Sequence, residues 1–307
     1  MQLAQHTWMR PEPLAATLSR AKKLGYTSIE LAGEPSQYPV ASTLAQLKEH
    51  DMTCWGAVTI MSPGRDLIHP EPATRAAGVA YALGVVELSA ALGGKIVTVV
   101  PSTVGKTRPL AGAEDEWSWA VEGLRSIAQA AAAKGLKVAL EPLNRFETYF
   151  VNRVGQAVAL IDAVGEANVG IAFDPFHLWM EEPDVYASVE ACGRTADGKT
   201  RIFDVHLGDS NRLAPGSGAI DWPRLVGKLK EVGYEGALAM EAMPPVDRSP
   251  LGGKEGVWAQ LETDPEVLEE VDPGMLQFLY DHASGVLTDE YYTALLKQTA
   301  DVIVPLM

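Results

Sequence analysis

The stretch AAAKGLKVALEPLNRFETYF (131–150) runs from an alanine-rich helix end through a glycine into a short apolar segment that closes on Glu141. The same order recurs in AKKLGYTSIEL (21–31), SAALGGKIVTVV (89–100) and LKEVGYEGALAME (229–241). The glycine falls where a helix C′ residue takes the left-handed conformation, so each unit reads as helix, stop, strand. The apolar segments are nearly continuous rather than alternating, as expected of parallel strands covered on both faces. Helices alternating with such strands imply crossover connections. Extended outward, the pattern gives eight strands: Gln2–His6, Ser28–Leu31, Thr53–Val58, Lys95–Val100, Lys137–Glu141, Gly170–Asp174, Ile202–His206 and Ala237–Glu241. Eight is the number for closure, and 307 residues suffice for one such unit. The fold predicted is α/β, a (β/α)8 TIM barrel forming a single domain over residues 1–307.

Two additions follow the eighth strand. Residues 243–286 exceed an ordinary βα loop and carry Pro244, Pro245, Pro250, Pro265 and Pro273. This segment reads as an extended loop, a lid or a partner-binding surface, and its acidic run from Glu262 to Asp272 as a solvated helix face. A last helix then starts at about Asp289 with Thr288 as its cap, just as Asp221 precedes Trp222 and Pro223 at an earlier helix start. Tyr292, Leu295, Leu296 and Ile303 form an apolar stripe that docks this helix on the barrel.

Composition narrows the function. With 47% hydrophobic and 21% charged residues the chain is globular. Lys plus Arg number 25 against 40 Asp plus Glu, and the net charge of −15 argues against binding a nucleic-acid backbone. Cys54 and Cys192 lack CxxC spacing, so neither a disulfide framework nor a thiolate zinc site is indicated. The most apolar stretch, from Gly78 to Val100, is broken by Glu87, Gly93, Gly94 and Lys95 and is not a membrane span. No basic-then-apolar signal precedes the first helix, so a cytoplasmic location is expected. GKT at 105–107 lacks the glycine a phosphate-binding loop needs where Val100 stands, and reads as a substrate loop. Trp117, Trp119 and Trp258 read as packing residues, with a lid as the lesser reading for Trp258; His282 reads as structural.

Four polar residues close four of the strands: Glu141, Asp174, His206 and Glu241. Three carboxylates and an imidazole cannot share an interior without compensation, because like charges repel and lose hydration. A divalent cation resolves the conflict, and mixed oxygen and nitrogen donors suit Mn²⁺, Co²⁺ or Mg²⁺ better than a structural zinc. In barrels of this kind the chemistry sits at the C-terminal strand ends, where all four fall. Glu30 is equally compatible with a structural role, and His6 and Trp8 close the first strand near the same mouth.

The segments EPLNRFETYF (141–150), FDPFHLWMEE (173–182), HLGDSNRLAPGSGAIDW (206–222) and MEAMP (240–244) together resemble the sugar isomerase/epimerase superfamily, most closely the D-tagatose and D-allulose 3-epimerases. The resemblance implies that Glu141, Asp174, His206 and Glu241 are metal ligands and that Glu141 and Glu241 are also the catalytic acid/base pair. It implies that Glu147, His177 and Arg212 bind substrate, and His6 is added to them as a pocket residue. Epimerisation beside a ketone removes a weakly acidic C–H proton and returns it on the other face. A chelated cation stabilises the enediolate, and two tuned carboxyl groups act as base and acid. Pro175, Trp179 and the loop VVPSTVGKTRP (99–109) depart from the family pattern and leave the substrate open.

The reading that follows is a metal-dependent keto-sugar epimerase, a homo-oligomer acting on a sugar or sugar derivative. The alternative is a carbon–carbon lyase on 3-oxo-C-glycosides, similar to the catalytic subunits of C-glycoside deglycosidases and working with a second subunit. An endonuclease IV-type nuclease would need more than six histidines and a basic face. A non-catalytic sugar-binding module would retain binding after metal removal.

Overall fold

The computed structural model describes residues 1–247 and 260–307; Trp258 and Pro250 fall outside the described residues. Eight parallel strands close into a barrel in sequence order: β1 Gln2–His6, β2 Ser28–Ala32, β3 Thr53–Val58, β4 Ile96–Val99, β5 Lys137–Leu140, β6 Val169–Phe173, β7 Ile202–Leu207 and β8 Ala237–Met240. Closure is made by β1 against β8, with Leu3 opposite Leu238 and Gln5 opposite Met240. The helices are α1 Leu14–Lys23, α2 Val40–Glu49, α3 Pro72–Ala91, α4 Ala113–Ala133, α5 Val154–Val164, α6 Pro175–Glu181, α7 Val185–Ala191, α8 Trp222–Glu231, α9 Pro265–Glu269, α10 Pro273–Asp281 and α11 Asp289–Ile303. None of them is long and apolar enough to cross a membrane.

The repeated glycine does what the sequence requires of it: Gly135 and Gly233, with φ of 74° and 77°, turn the chain out of α4 and α8 toward β5 and β8. Helix starts follow the cap residues. Asp221 accepts a hydrogen bond from the Arg224 amide at 3.1 Å, and Thr288 accepts one from the Tyr291 amide. The stripe on α11 is buried, and Tyr292 Oη accepts from Gln5 Nε2 at 2.9 Å, fixing the last helix to the first strand.

Two expectations are corrected. Glu141, Asp174 and Glu241 lie one residue beyond their strands, while His206 lies inside β7. Glu141 and Glu241 nevertheless keep a ladder bond, their amides donating to Val99 and Leu207 at 3.1 Å, which holds both side chains at the barrel rim. The segment after β8 is also more than a loop. Pro265 and Pro273 occupy the first turns of α9 and α10, where a missing N–H costs nothing, and Asp264 and Asp272 cap those helices. The residues of α9 are half-buried or exposed, in line with a solvated acidic face.

The barrel interior is narrow. A methyl group on Gly170 would collide with the Arg201 carbonyl oxygen and meet the Phe203 ring at 2.5 Å. Overpacking of this kind costs about 1–3 kcal/mol, so Gly170→Ala is expected to lower the thermal midpoint by several degrees. An unchanged midpoint would show that β6 and β7 can shift apart.

Candidate active site

The four strand-end residues converge at the C-terminal mouth. Their candidate ligand atoms lie within 4.8 Å of one another, and all four residues are buried. His206 Nδ1 is 2.9 Å from Glu141 Oε1 and 2.8 Å from Glu241 Oε2. One ring nitrogen carries at most one hydrogen, so both contacts cannot be satisfied together. Glu241 Oε2 is left buried without a hydrogen-bond donor. Asp174 points inward from the N-terminus of α6, with Oδ1 accepting from the Phe176 amide at 2.8 Å and Oδ2 3.4 Å from His177 Nε2.

The charges show what the cluster lacks. Burial opposes a charged imidazole, yet Glu141, Glu241 and the bond to Asp204 hold the His206 pKa well above its ordinary value. Burial raises Asp174 well above the carboxylate range, with Glu241 and Glu141 adding repulsion. Burial also raises Glu141, while Glu241 is depressed against burial by His206. A site that draws a proton onto its only imidazole is short of positive charge, and a divalent cation would supply it. The orphaned carboxylate oxygen and the donor set of three carboxylates and one imidazole fit such an ion.

A further layer lies below this ring. Asp204 Oδ2 is 3.1 Å from His206 Nε2, so the carboxylate takes the Nε2 hydrogen and leaves Nδ1 facing the mouth. Asp204 is fixed in turn by Thr98 Oγ1 at 2.9 Å and Trp55 Nε1 at 3.0 Å. Glu30 and His6 are fully buried beside it. Burial and the Asp204 charge raise Glu30 well above the ordinary range. His6 stands edge-on to His206 and Trp8, and burial depresses its pKa to about 3. His6, Glu30 and His206 form a second close grouping, inside the barrel rather than at its mouth.

Residues above the ring are held by the loops after β5, β6 and β7. Glu147 Oε1 accepts from Arg212 Nη1 at 2.6 Å and from Asn144 Nδ2 at 2.9 Å. The Asn144 amide donates to His177 Nδ1 at 3.2 Å, which leaves the hydrogen of a neutral His177 on Nε2, facing Asp174. Burial pushes His177 down to about 4. Arg212 has φ of 59°, an uncommon conformation for a residue with a side chain, imposed by a turn in which its amide donates to the Asp209 carbonyl at 2.8 Å. Asp209 is buried and accepts from Trp222 Nε1 at 2.9 Å, tying that turn to α8. Arg212 Nε is buried without an acceptor, and its guanidinium lies 4.5 Å from the Phe176 ring centre.

Two residues of the segment after β8 join this group. His282 Nε2 is 3.5 Å from Glu147 Oε2, and Phe278 lines the same small chamber of about 30 Å3 as Glu141, Glu241 and Trp8. The structural role expected of His282 is therefore incomplete, and no motif in the sequence marks its approach to Glu147. Lys106 of the GKT stretch is tied to Asp66 at 2.9 Å, while Val104 and Gly105 before it line a larger cavity next to the chamber.

The model of the xylose isomerase-like TIM barrel family matches residues 18–260, and the chain belongs to that family. Ketose 3-epimerases are among its relatives in both sequence and structure. The chain is 31% identical over 255 residues to L-ribulose 3-epimerase of Mesorhizobium japonicum, covering 82% of this chain and 83% of that one. It is 27% identical to D-psicose 3-epimerase of Ruminiclostridium cellulolyticum, over 85% and 89% of the two chains. The crystal structure of D-allulose 3-epimerase from Methylomonas sp. in complex with D-allulose superposes with a TM-score of 0.80 at 25% identity, covering 100% of this chain and 97% of that one.

Proposed function

We propose that the protein is a divalent-metal-dependent isomerase that epimerises a keto-sugar beside its carbonyl. The observation that carries this reading is the buried ring of Glu141, Asp174, His206 and Glu241 in a chain whose relatives are ketose 3-epimerases. These four residues would hold the ion, Mn²⁺ by preference with Co²⁺ or Mg²⁺ as alternatives. A cation bound there would polarise the ketone and the neighbouring hydroxyl, lowering the acidity barrier of the C–H between them.

Glu141 and Glu241 act as base and acid. One removes the proton from the carbon beside the ketone, giving an enediolate, and the other returns a proton to the opposite face; the roles reverse with the epimer bound. Arg212 and the Nε2–H of His177 orient substrate oxygens and stabilise the charge that develops on them. Glu147 accepts a substrate hydroxyl and is held well below the ordinary carboxylate range, against burial, chiefly by Arg212. His6 supports the ring from beneath, through its contact with His206. Within the segment after β8, α10 serves as a lid, bringing Phe278 and His282 to the mouth.

A second reading, a carbon–carbon lyase on 3-oxo-C-glycosides, begins with the same proton removal. A cavity of about 890 Å3, which shares Glu147, Arg212, Phe278 and His282 with the small chamber, has room for a glycoside. Incubating the Mn²⁺-loaded protein with D-fructose, D-allulose, D-tagatose and L-ribulose, followed by chromatography, tests the leading reading. A C3 epimer from any of them supports it; none from any, with the metal bound, counts against it.

The layer beneath the ring should matter for metal retention. Asp204→Asn removes the charge that orients His206, and such supporting partners are typically worth about 10–100-fold in metal affinity. Calorimetric titration with Mn²⁺ should show at least the lower figure. Unchanged affinity would mean that Asp204 serves only the barrel interior.

A further inference from the structure

The small chamber at the barrel mouth holds polar atoms that the proposed chemistry does not use. Trp8 Nε1, Thr59 Oγ1, Arg212 Nε and Glu241 Oε2 belong to its walls, and each is buried without a hydrogen-bond partner. Glu241 and Arg212 already have roles at the reacting carbon, and Trp8 also lines a separate cavity beside α1. Thr59 is left as the unassigned hydroxyl. It lies one residue past β3 and is 3% exposed. Its amide donates to the Thr98 carbonyl at 2.9 Å, which fixes the backbone that carries it. Burying a hydroxyl without a partner costs stability, so such a group in a reacting chamber marks a place for a ligand oxygen.

His282, just past α10, presents a second such group. Its Nδ1 lies 2.7 Å from the Phe278 carbonyl oxygen. A carbonyl oxygen only accepts, so Nδ1 carries the hydrogen, and Nε2 of the neutral ring is a bare acceptor. That nitrogen faces Glu147 Oε2 at 3.5 Å. Oε1 of the same carboxylate takes Arg212 and Asn144 as donors, so Arg212 already balances the charge and a cation on His282 is not required. Two acceptors therefore stand side by side in the chamber wall. Two neighbouring hydroxyls of a sugar, each donating one hydrogen, satisfy both at once.

We infer that Thr59 and His282 are substrate-binding residues that hold sugar hydroxyls other than those on the ion. Thr59 both donates and accepts; His282, beside Glu147, accepts. Neither falls within the segments that carry the family resemblance. This inference rests on the epimerase reading above and deepens it. Selectivity among ketoses then depends on the hydroxyls that reach Thr59 and His282, not on the reacting carbon alone.

The test measures KM and kcat for deuterium entry from D2O with the Mn²⁺-loaded protein. The substrates are whichever of D-allulose, D-fructose, D-tagatose and L-ribulose it turns over fastest, and the deoxy derivatives of that ketose at each carbon beyond C3. Thr59→Val keeps the shape of the side chain and removes the hydroxyl; His282→Leu removes the acceptor. Each should raise KM for the parent ketose about two- to tenfold, the worth of one net hydrogen bond, with kcat within about twofold. Thr59→Ser, which keeps the hydroxyl, should restore KM. For the derivative that lacks the hydroxyl concerned, variant and unaltered protein should have equal KM. The thermal midpoint of Thr59→Val without substrate should not fall, because a buried methyl group needs no partner. KM unchanged in both variants, or raised equally for the parent ketose and every deoxy derivative, would overturn this inference alone. Absence of deuterium from all four ketoses with the unaltered protein would overturn the epimerase reading, and this inference with it.

Discussion

Glu241→Gln is expected to leave the barrel folded while lowering solvent-hydrogen exchange into substrate by about 10²–10⁴-fold, the usual worth of a positioned acid or base. Glutamine matches the shape of glutamate but cannot take up a proton. The residue is only 7% exposed, and its side chain contacts Arg212 at 3.4 Å as well as His206, so the amide can keep one of those partners. The substitution also removes one candidate ligand charge, so exchange must be read at saturating Mn²⁺ to separate weakened metal binding from loss of the base. Circular dichroism and the thermal midpoint report the fold independently. Glu141→Gln should behave alike, because proton removal and return need both faces. Exchange close to that of the unaltered protein in either variant would remove that residue from the proposed chemistry.

Stripping divalent ions by EDTA dialysis is expected to abolish epimerisation, and Mn²⁺ should restore it at one equivalent. Ligand binding to the native state alone stabilises it by about 2.7 kcal/mol when free ion stands at a hundred times Kd, so the thermal midpoint should rise together with activity. The pH dependence has a definite sign. The carboxylates around His206 raise its pKa well above the ordinary value, so at neutral pH the free chain holds a proton that the ion must displace. Apparent affinity should therefore climb with pH, by about tenfold per unit for each proton displaced, until His206 has lost its own. Affinity independent of pH over that window would show that His206 is not a ligand. Full activity after metal removal would dismiss the metal from the reaction.

The sequence carried the mouth of the barrel better than its interior. Glu141, Asp174, His206 and Glu241 were legible because four polar side chains close four apolar runs at corresponding strand ends, and together they cannot share an interior without compensation. Asp204 was open to the same kind of reading: IFDVH places it two residues before His206, and a period of two puts both on one face of β7. Asp204 does not stand out, because strands covered on both sides are apolar throughout and nothing local says which face points to the barrel axis. Glu30 in SIELA is hidden for the same reason. The helices α9 and α10 had readable starts, Asp264–Pro265 and Asp272–Pro273, but prolines in a long connection suggest loop before they suggest the first turn of a helix. The approach of His282 to Glu147 is purely tertiary, set by where α10 packs at the mouth, and no local pattern encodes it.

The central claim is that the ring of Glu141, Asp174, His206 and Glu241 holds a divalent ion and exchanges a C–H proton beside a sugar ketone. Its most direct test is D-allulose incubated in D2O with the metal-free protein, with and without one equivalent of Mn²⁺, and followed by NMR. The expected result is deuterium at C3 together with the C3 epimer, only when Mn²⁺ is present. Deuterium entry at the same rate without metal, or epimer formed with no deuterium incorporated, would contradict it.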